Sequence, residues 1–415
     1  MVRICSSVGN ITAKIVARAD PRCRVGLMRA WMALLAVIPA CGFHSSESKD
    51  GGDDDGTPGS PRCFGSFVKI CFTALADVPT MPLTITDATT EINTATGISN
   101  GTGTPPLMCD QHNEQKDEFC VVAGAGLTIP ANKSIRGYGS KPLVLLSTTT
   151  MTIEATSTVD VSSNHMASGE QAQGAGGNSP LCTSGAPPEL AGGGYGGSFG
   201  GKGGDGEQLA GAAATSGVAA AALTLPPMMM LRGGCPGGGG DASGGVGGSG
   251  GGAVALIAVT SIQLDGKINA SGAGGTGGPA SKSGGGGGGS GGMIVLDAPS
   301  LMIMLGGTGT LFANGGGGGQ GGAAPDGGAS KPGAGEDGHE PMAPTPAALG
   351  GSFSDKDGGS GGNGSVGSSR LIGLNGGSSP VVHMGGGGAG GGGAGFIRAH
   401  GITGDSIISP PSFIP

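Results

Sequence analysis

Short apolar blocks alternate with runs of glycine over residues 192–395. The blocks at 253–259 and 293–296, and an earlier one at 143–146, each have the length and apolar content of one β-strand. A second apolar piece follows each block, and a third piece then places apolar residues at alternate positions. Alternation with a period of two is typical of a strand that buries one face. The pattern therefore predicts a repeating unit of three short strands and a glycine-rich excursion.

The third piece of each unit carries a shared motif, with an apolar residue at its third position and Val or Ala at its fifth. Its copies are STVDVSS at 157–163, GKINASG at 266–272 and GTLFANG at 309–315. Stacking of such units predicts an all-β fold, a parallel β-solenoid (β-helix-like) in which each strand bonds to its counterparts in neighbouring coils. The side chains expected to point inward are Val254, Leu256, Ile262, Leu264, Ile268, Ala270, Ile294, Leu296, Ile303, Leu305, Leu311 and Ala313.

Glycine accounts for 96 of the 415 residues. Glycine loses more backbone entropy on folding than any other residue, so a thick globular core is not expected in the glycine-rich half. The runs at 284–289 and 385–393 are therefore expected to be long insertions in the solenoid. Two arrangements remain open for them. They form flexible loops, or they form polyglycine-II helices, with three residues per turn, whose backbones pair side by side.

The N-terminal residues have the layout of a bacterial export signal. Within 28–41, positive charge precedes a short apolar stretch that ends in a small residue before Cys41. This junction predicts lipid attachment at Cys41, with simple secretion and an uncleaved apolar helix as the alternatives. The expected organisation is a leader, an acidic Gly/Pro tether, an N-terminal solenoid part with disulfides and a glycine-rich solenoid part, at 1–40, 41–61, 62–190 and 191–415.

Six cysteines follow the candidate lipidation site. An even number of cysteines behind an export signal favours disulfides in an oxidising compartment. No C-x-x-C pair and no nearby histidine indicates a metal site, and neither a metal nor a cofactor is expected. Sequence proximity favours bonds between successive cysteines, although it leaves other pairings open. The disulfide candidates are therefore Cys63 with Cys71, Cys109 with Cys120, and Cys182 with Cys235.

The charge and the motifs of the chain argue against nucleic-acid binding and against enzyme activity. The formal net charge is −8 and no basic stripe occurs, so no nucleic-acid partner is expected. The acidic residues of the predicted strands are isolated, while the acidic pairs at 336–337 and 355–357 lie in Gly/Pro-rich loops. No nucleophile–histidine–acid motif stands out, and few aromatic residues are present to bind sugars. We therefore predict no enzyme activity and no catalytic residue.

A resemblance to other proteins is carried by the segments at 63–65 with 71–72, 109–113 with 119–124, 141–148, 158–163, 231–237 and 394–398. In these segments the chain resembles the glycine-rich, signal-bearing (lipo)proteins of unknown role that recur in myxobacteria and related bacteria. The resemblance covers roughly residues 62–400. It implies an exported protein, but no activity and no functional residues.

The expected function is that of an exported structural or adhesive protein. A lipid anchor would hold it at the outer membrane or cell surface, or it would be extracellular, and surface or matrix polymers are its expected partners besides the membrane. One alternative is a β-helical enzyme acting on polysaccharide, which would need a groove lined with close carboxylates. A flexible glycine-rich surface spacer is the other alternative. The sequence pattern indicates no oligomeric state.

Overall fold

The computed structural model describes most of the chain after the tether. Contacts divide the chain into two units, Met1–Thr57 and Pro58–Pro415, and every described residue belongs to the second. The predicted leader, the tether up to residue 60 and the lipidation candidate Cys41 lie outside the described residues. The described ranges are 61–100, 107–209, 215–223, 230–241, 243–303, 310–325, 331–352, 357–380, 385–399 and 408–413.

These residues form short strands, two 3₁₀ turns (Leu75–Asp77 and Gly169–Ala172) and long segments without strand structure. The strands are β1 Arg62–Phe64, β2 Ile70–Phe72, β3 Leu83–Thr84, β4 Thr89–Asn93, β5 Ile98–Ser99, β6 Cys120–Gly124, β7 Leu127–Ile129, β8 Ser134–Tyr138, β9 Leu143–Ser147, β10 Thr150–Ile153, β11 Thr158–Asp160, β12 Ala253–Ala258, β13 Ser261–Leu264, β14 Lys267–Asn269, β15 Met293–Asp297, β16 Ser300–Ile303, β17 Thr310–Phe312, β18 Phe396–Ala399, β19 Ile408–Ser409 and β20 Ser412–Phe413.

Three larger sheets and one hairpin contain these strands. Sheet I has the order β16-β13-β10-β7-β3, sheet II the order β19-β17-β14-β11-β8-β4-β5, and sheet III the order β20-β18-β15-β12-β9-β6. Neighbouring strands in the three sheets are parallel, except that β4 and β5 are antiparallel. The hairpin pairs β1 with β2. Apolar residues match across the ladders, as where Ile268 of β14 lies between Val159 of β11 and Leu311 of β17.

One hydrophobic core takes side chains from all three sheets. Each sheet contributes alternate residues of its strands, which is the one-sided burial that the period of two predicts. Most of the predicted inward side chains belong to this core, whereas Ile303 is only partly buried against it and Leu305 lies outside the described residues. Fully burying one such Leu or Ile contributes about 1.5–3 kcal/mol.

Sheet III is buried on both faces. All six residues of β12 are buried, and the set that points away from the first core, such as Ala255 beside Val144 and Val295, forms a second core. The β1–β2 hairpin covers this second face with Phe64 and other aromatic and aliphatic side chains. Strands that are covered on both faces are apolar throughout, which explains why β12 and β15 are continuous apolar runs.

The glycine-rich segments pack against one another. We call them the glycine array, defined as 192–206, 233–240, 244–252, 270–278, 284–292, 313–322, 335–338, 358–364, 373–377 and 385–395. The N–H groups of segment 284–292 donate in turn to segments 385–393, 270–276 and 235–238, so the bonding direction repeats every three residues. Its carbonyl groups accept from 194–197, 316–319 and 245–251. The obligatory backbone bonds are thus satisfied between segments rather than by water.

Close approach of these backbones requires glycine. A Cβ atom added at Gly288 would lie 2.2 Å from the carbonyl oxygen of Gly316, a distance that real Cβ contacts do not reach. Most glycines of the glycine array meet another backbone in the same way. A side chain at these positions would push two segments apart and break the bonds between them.

The predicted parallel β-solenoid with glycine-rich insertions is wrong. The described protein is nearly all β with essentially no helix, but its strands are distributed over several sheets, one of them mixed, together with an antiparallel hairpin. Between β11 and β12 the described residues contain no strand at all, so the spacing of strands along the described chain is irregular. The prediction treated the glycine runs as excursions from a coil. The described glycine runs are buried segments that bond to each other, as in the side-by-side pairing that is one of the two expected arrangements, because glycine backbones can approach closely enough to pair.

Candidate functional site

One open cleft, of about 470 Å³, brings titratable side chains together. It lies between the turn that follows β11 and a glycine-rich segment near residue 338. The turn contributes one histidine to the lining, and the glycine-rich segment contributes the other histidine and three acidic residues. The lining residues are His165, Met166, Gly335, Glu336, Asp337, Gly338, His339 and Glu340.

His165 and Glu340 form the centre of this cleft. The backbone N–H of His165 donates to Glu340 Oε1 (2.9 Å), and the Nδ1 atom of the same imidazole also contacts that oxygen. The other ring nitrogen, Nε2, lies 3.4 Å from Asp337 Oδ2. Asn164 holds the turn in place, since its side-chain oxygen accepts the N–H of Met166 (2.8 Å). The imidazole is therefore fixed between two carboxylates.

The two partners shift each other's protonation. The hydrogen bond with Glu340 raises the pKa of His165 above its ordinary value, against the opposing effect of burial, and the negative charges of Glu340 and Asp337 add to the rise. Burial acts to raise the pKa of Glu340, but hydrogen bonds from the His165 side chain and backbone and from the Gly274 N–H outweigh it, and the pKa is lowered. The pair thus favours an imidazolium facing a carboxylate.

This arrangement fits an ion-pair contact better than a catalytic centre. The cleft lining contains no Ser, Thr, Cys or Lys side chain that His165 could activate as a nucleophile. An acid that protonates a glycosidic oxygen needs a raised pKa, whereas the pKa of Glu340 is lowered. Among the described residues, no group of three His, Cys, Asp or Glu side chains is arranged to hold a metal ion. The cleft still has close carboxylates, the feature expected of a polysaccharide enzyme.

Three disulfides join the six cysteines. The pairs are those that sequence proximity favours, Cys63–Cys71, Cys109–Cys120 and Cys182–Cys235. The first crosses the β1–β2 hairpin, and the second closes the polar loop at 110–119. The third joins residues 53 positions apart and ties a surface loop to the glycine array. Because disulfides persist in oxidising compartments, these bonds indicate a protein that is not cytoplasmic.

A buried arginine lies against the third disulfide. Arg232 is only 9% exposed, and its guanidinium stacks 4.7 Å from the ring centroid of Phe199. Its Nη1 donates to the Leu181 carbonyl oxygen (3.2 Å), and its Nη2 lies 3.5 Å from Cys235 Sγ and 3.8 Å from Cys182 Sγ. Among the described residues, no carboxylate pairs with this guanidinium, and burial lowers the pKa of Arg232. A positive charge therefore faces the two sulfur atoms.

The acidic residues singled out in the strands hold structure together. Asp160 pairs with Arg136 (3.0 Å), and Asp265 accepts a hydrogen bond from Gln263. Asp297 accepts the N–H of Phe67 (2.9 Å) and so anchors the β1–β2 turn on sheet III. Of the acidic pair at 355–357, Asp355 lies outside the described residues and Asp357 is buried.

Sequence inspection did not identify the cleft or the buried arginine. His165 and Glu340 are 175 residues apart, and neither occurs in a recognisable motif. Arg232 belongs to the segment 231–237, which carries part of the family resemblance but no functional role. The one available signal is the acidic pair at 336–337, which the sequence places in a Gly/Pro-rich loop. Tertiary contacts between distant segments create both clusters.

No helix in the described part of the chain could cross a membrane. The two candidate sites of the described residues are the ion-paired cleft at His165 and Glu340 and the disulfide that Arg232 contacts. Comparisons with known proteins returned no match, since no family model fits the sequence and neither a curated protein nor a solved structure is similar to it.

Proposed function

We propose that this chain is a rigid structural protein of the cell exterior, acting in a coat, a matrix or a contact surface. The observation that carries the proposal is the glycine array, in which backbone groups of distant segments bond to each other in place of water. A body built in this way offers few side chains for chemistry but resists deformation, because each inner segment bonds to several neighbours. Lipid on Cys41 anchors it at the outer membrane or cell surface, and its contacts are with surface or matrix polymers.

The same bonds favour this function over that of a flexible spacer. A spacer needs a backbone that water solvates freely. Here the N–H of Gly194 donates to the carbonyl of Gly285 (2.9 Å), and the N–H of Gly288 donates to that of Gly390 (3.0 Å). Segments that lie about a hundred residues apart in the chain are thereby held together. Three disulfides add covalent links to the body.

A polysaccharide-acting enzyme is the second candidate, and the acid-lined cleft is the observation that favours it. Glu336, Asp337 and Glu340 line an open cleft of about 470 Å³. The ion pair with His165 keeps Glu340 charged, which weighs against a proton donor at this position. Release of reducing ends from an acidic polysaccharide, abolished by Glu336→Gln, would favour the enzyme over the structural protein.

The structural proposal is tested by expressing the full chain in a bacterium with an outer membrane, supplied with labelled palmitate. We expect label on the wild type and on Cys5→Ser, and none on Cys41→Ser, because only Cys41 lies at the predicted cleavage junction. Proteinase K added to intact cells should release a protease-resistant body by cleaving the tether. Label retained by Cys41→Ser would contradict the anchor, and complete digestion of the released chain would favour the flexible spacer.

A further inference from the structure

The disulfide between Cys182 and Cys235 differs from the other two in its surroundings. A guanidinium group contacts both of its sulfur atoms, at 3.5 and 3.8 Å. Among the described residues, no cationic side chain donates a hydrogen bond to the sulfurs of Cys63–Cys71 or of Cys109–Cys120. Cations lower the pKa of a nearby thiol, because they stabilise the thiolate. A disulfide whose departing sulfur is stabilised in this way opens more readily.

The position of Arg232 is fixed by the fold. Its guanidinium is held between the Phe199 ring and the Leu181 carbonyl oxygen, and it is more than nine-tenths buried. Its Nε atom is buried and has no hydrogen-bond partner among the described residues. A buried cation without a carboxylate is costly. A thiolate formed at Cys235 would supply the missing negative charge.

Access to the bond is one-sided. Cys182 is half-buried and follows the exposed Leu181, whereas Cys235 is only 3% exposed and lies within the glycine array. Cys182 is therefore the more accessible of the two cysteines to an external thiol. Attack at Cys182 makes Cys235 the leaving group, and Arg232 Nη2 lies closer to Cys235 Sγ than to Cys182 Sγ.

We propose that Cys182–Cys235 is a thiol–disulfide exchange site for small-molecule thiols, with Arg232 stabilising the departing thiolate. A thiolate attacks Cys182 Sγ, the S–S bond breaks, and a mixed disulfide forms while Cys235 leaves with the bonding electron pair. A second thiolate then attacks the external sulfur of the mixed disulfide and frees Cys182. Two small thiols are oxidised to their disulfide and the protein disulfide is reduced; the two protons that the small thiols release on ionising pass through water to Cys182 and, when it is protonated, to Cys235. Opening removes the covalent link between the loop around Leu181 and the glycine array.

The test is the rate at which each disulfide of the full chain opens in limiting reduced glutathione, followed by alkylation and mass spectrometry of peptides. Cys182–Cys235 should open first, with the other two as internal controls. Arg232→Met should slow its opening by about three- to ten-fold, because the leaving thiol loses its stabilising charge. Arg232→Lys should recover most of the rate, since it keeps the charge.

A purely structural arginine gives the opposite result. If Arg232 only packs the loop, Arg232→Met loosens the site and speeds the opening of Cys182–Cys235, and this outcome would overturn the proposal. An unchanged rate would overturn it too. A second measurement does not depend on how well that variant folds: in Cys182→Ser, with Arg232 intact, ultraviolet titration should place the pKa of the Cys235 thiol below about 8.5. A value at or above this figure would also refute the proposal.

Discussion

Gly288 shows how the glycine array depends on single residues. Its N–H donates to Gly390, its carbonyl accepts from Gly197, and a Cβ at this position would meet the Gly316 carbonyl oxygen at 2.2 Å. The role is therefore steric rather than conformational, since φ at Gly288 is not in the left-handed region. Many array glycines share this requirement. Composition alone, which shows that glycine is abundant, does not distinguish such positions from glycines in open loops.

We expect Gly288→Ala to lower the free energy of unfolding by about 2 kcal/mol or more, because the methyl group must push apart two hydrogen-bonded backbones. The matched control is Gly239→Ala, where the nearest atom to an added Cβ is the Gly245 carbonyl oxygen at 3.6 Å. That change should be neutral or stabilising by about 0.5 kcal/mol, because alanine restricts the unfolded chain. Chemical denaturation of both variants, with the disulfides intact, measures the difference. Equal effects would show that the glycine array is not closely packed.

At the scale of elements, sheet III departs most from the sequence-based expectation. The period-two pattern predicts strands that bury one face, and the strands of sheets I and II follow it, as in β13 and β8. In β12 and β15 both sets of side chains are buried, because the β1–β2 hairpin and Phe199 cover the second face. The continuous apolar runs of these two strands were visible in the sequence. What covers them was not, since the hairpin precedes them by nearly two hundred residues.

Ala255 tests the burial of that second face. We expect Ala255→Asp to destabilise the protein by about 3 kcal/mol or more, because a carboxylate would be enclosed between Val144 and Val295 without a partner. Thr152→Asp, at a half-buried outward position of β10 in sheet I, should cost less than about 1 kcal/mol. Thermal unfolding followed by circular dichroism compares the two. A similar loss of stability in both variants would mean that sheet III is open on its second face.

At the scale of the whole molecule, side-chain ion pairs join segments that lie far apart in the sequence. The turn after β11 reaches the segment near residue 338 through His165, which faces Glu340 and Asp337. The pKa of His165 is raised and that of Glu340 is lowered, so the stability that their ion pair contributes is lost both at high pH and at low pH. A raised histidine pKa adds stability that is complete below the unfolded-state value of 6.5 and is lost as pH rises through the folded-state value.

The Glu340 carboxylate sets the acidic limit of the pH range in which the ion pair stabilises the protein. The lowered pKa of Glu340 adds stability that is present above the unfolded-state value of 4.5 and is lost as pH falls through the folded-state value. We therefore expect the difference in Tm between wild type and His165→Gln to be greatest between about pH 4.5 and pH 6.5, and to shrink on either side. His339→Gln is the matched control, because His339 Nε2 lies 3.9 Å from Glu336 on a more exposed side chain. A pH-independent difference for His165→Gln would exclude the ion pair.

The sequence by itself determined the features that depend on neighbours along the chain. Strand positions follow from alternation of apolar residues, because successive side chains of a strand point to opposite faces, and the inward positions of β12–β14 could be predicted for that reason. Cysteine proximity favoured the three disulfides that the structure contains. The tertiary structure alone decided how glycine segments bond and where His165, Arg232 and sheet III find their partners. All glycines present the same backbone groups, so a sequence cannot specify which segments pair, and contacts between residues far apart leave no local pattern.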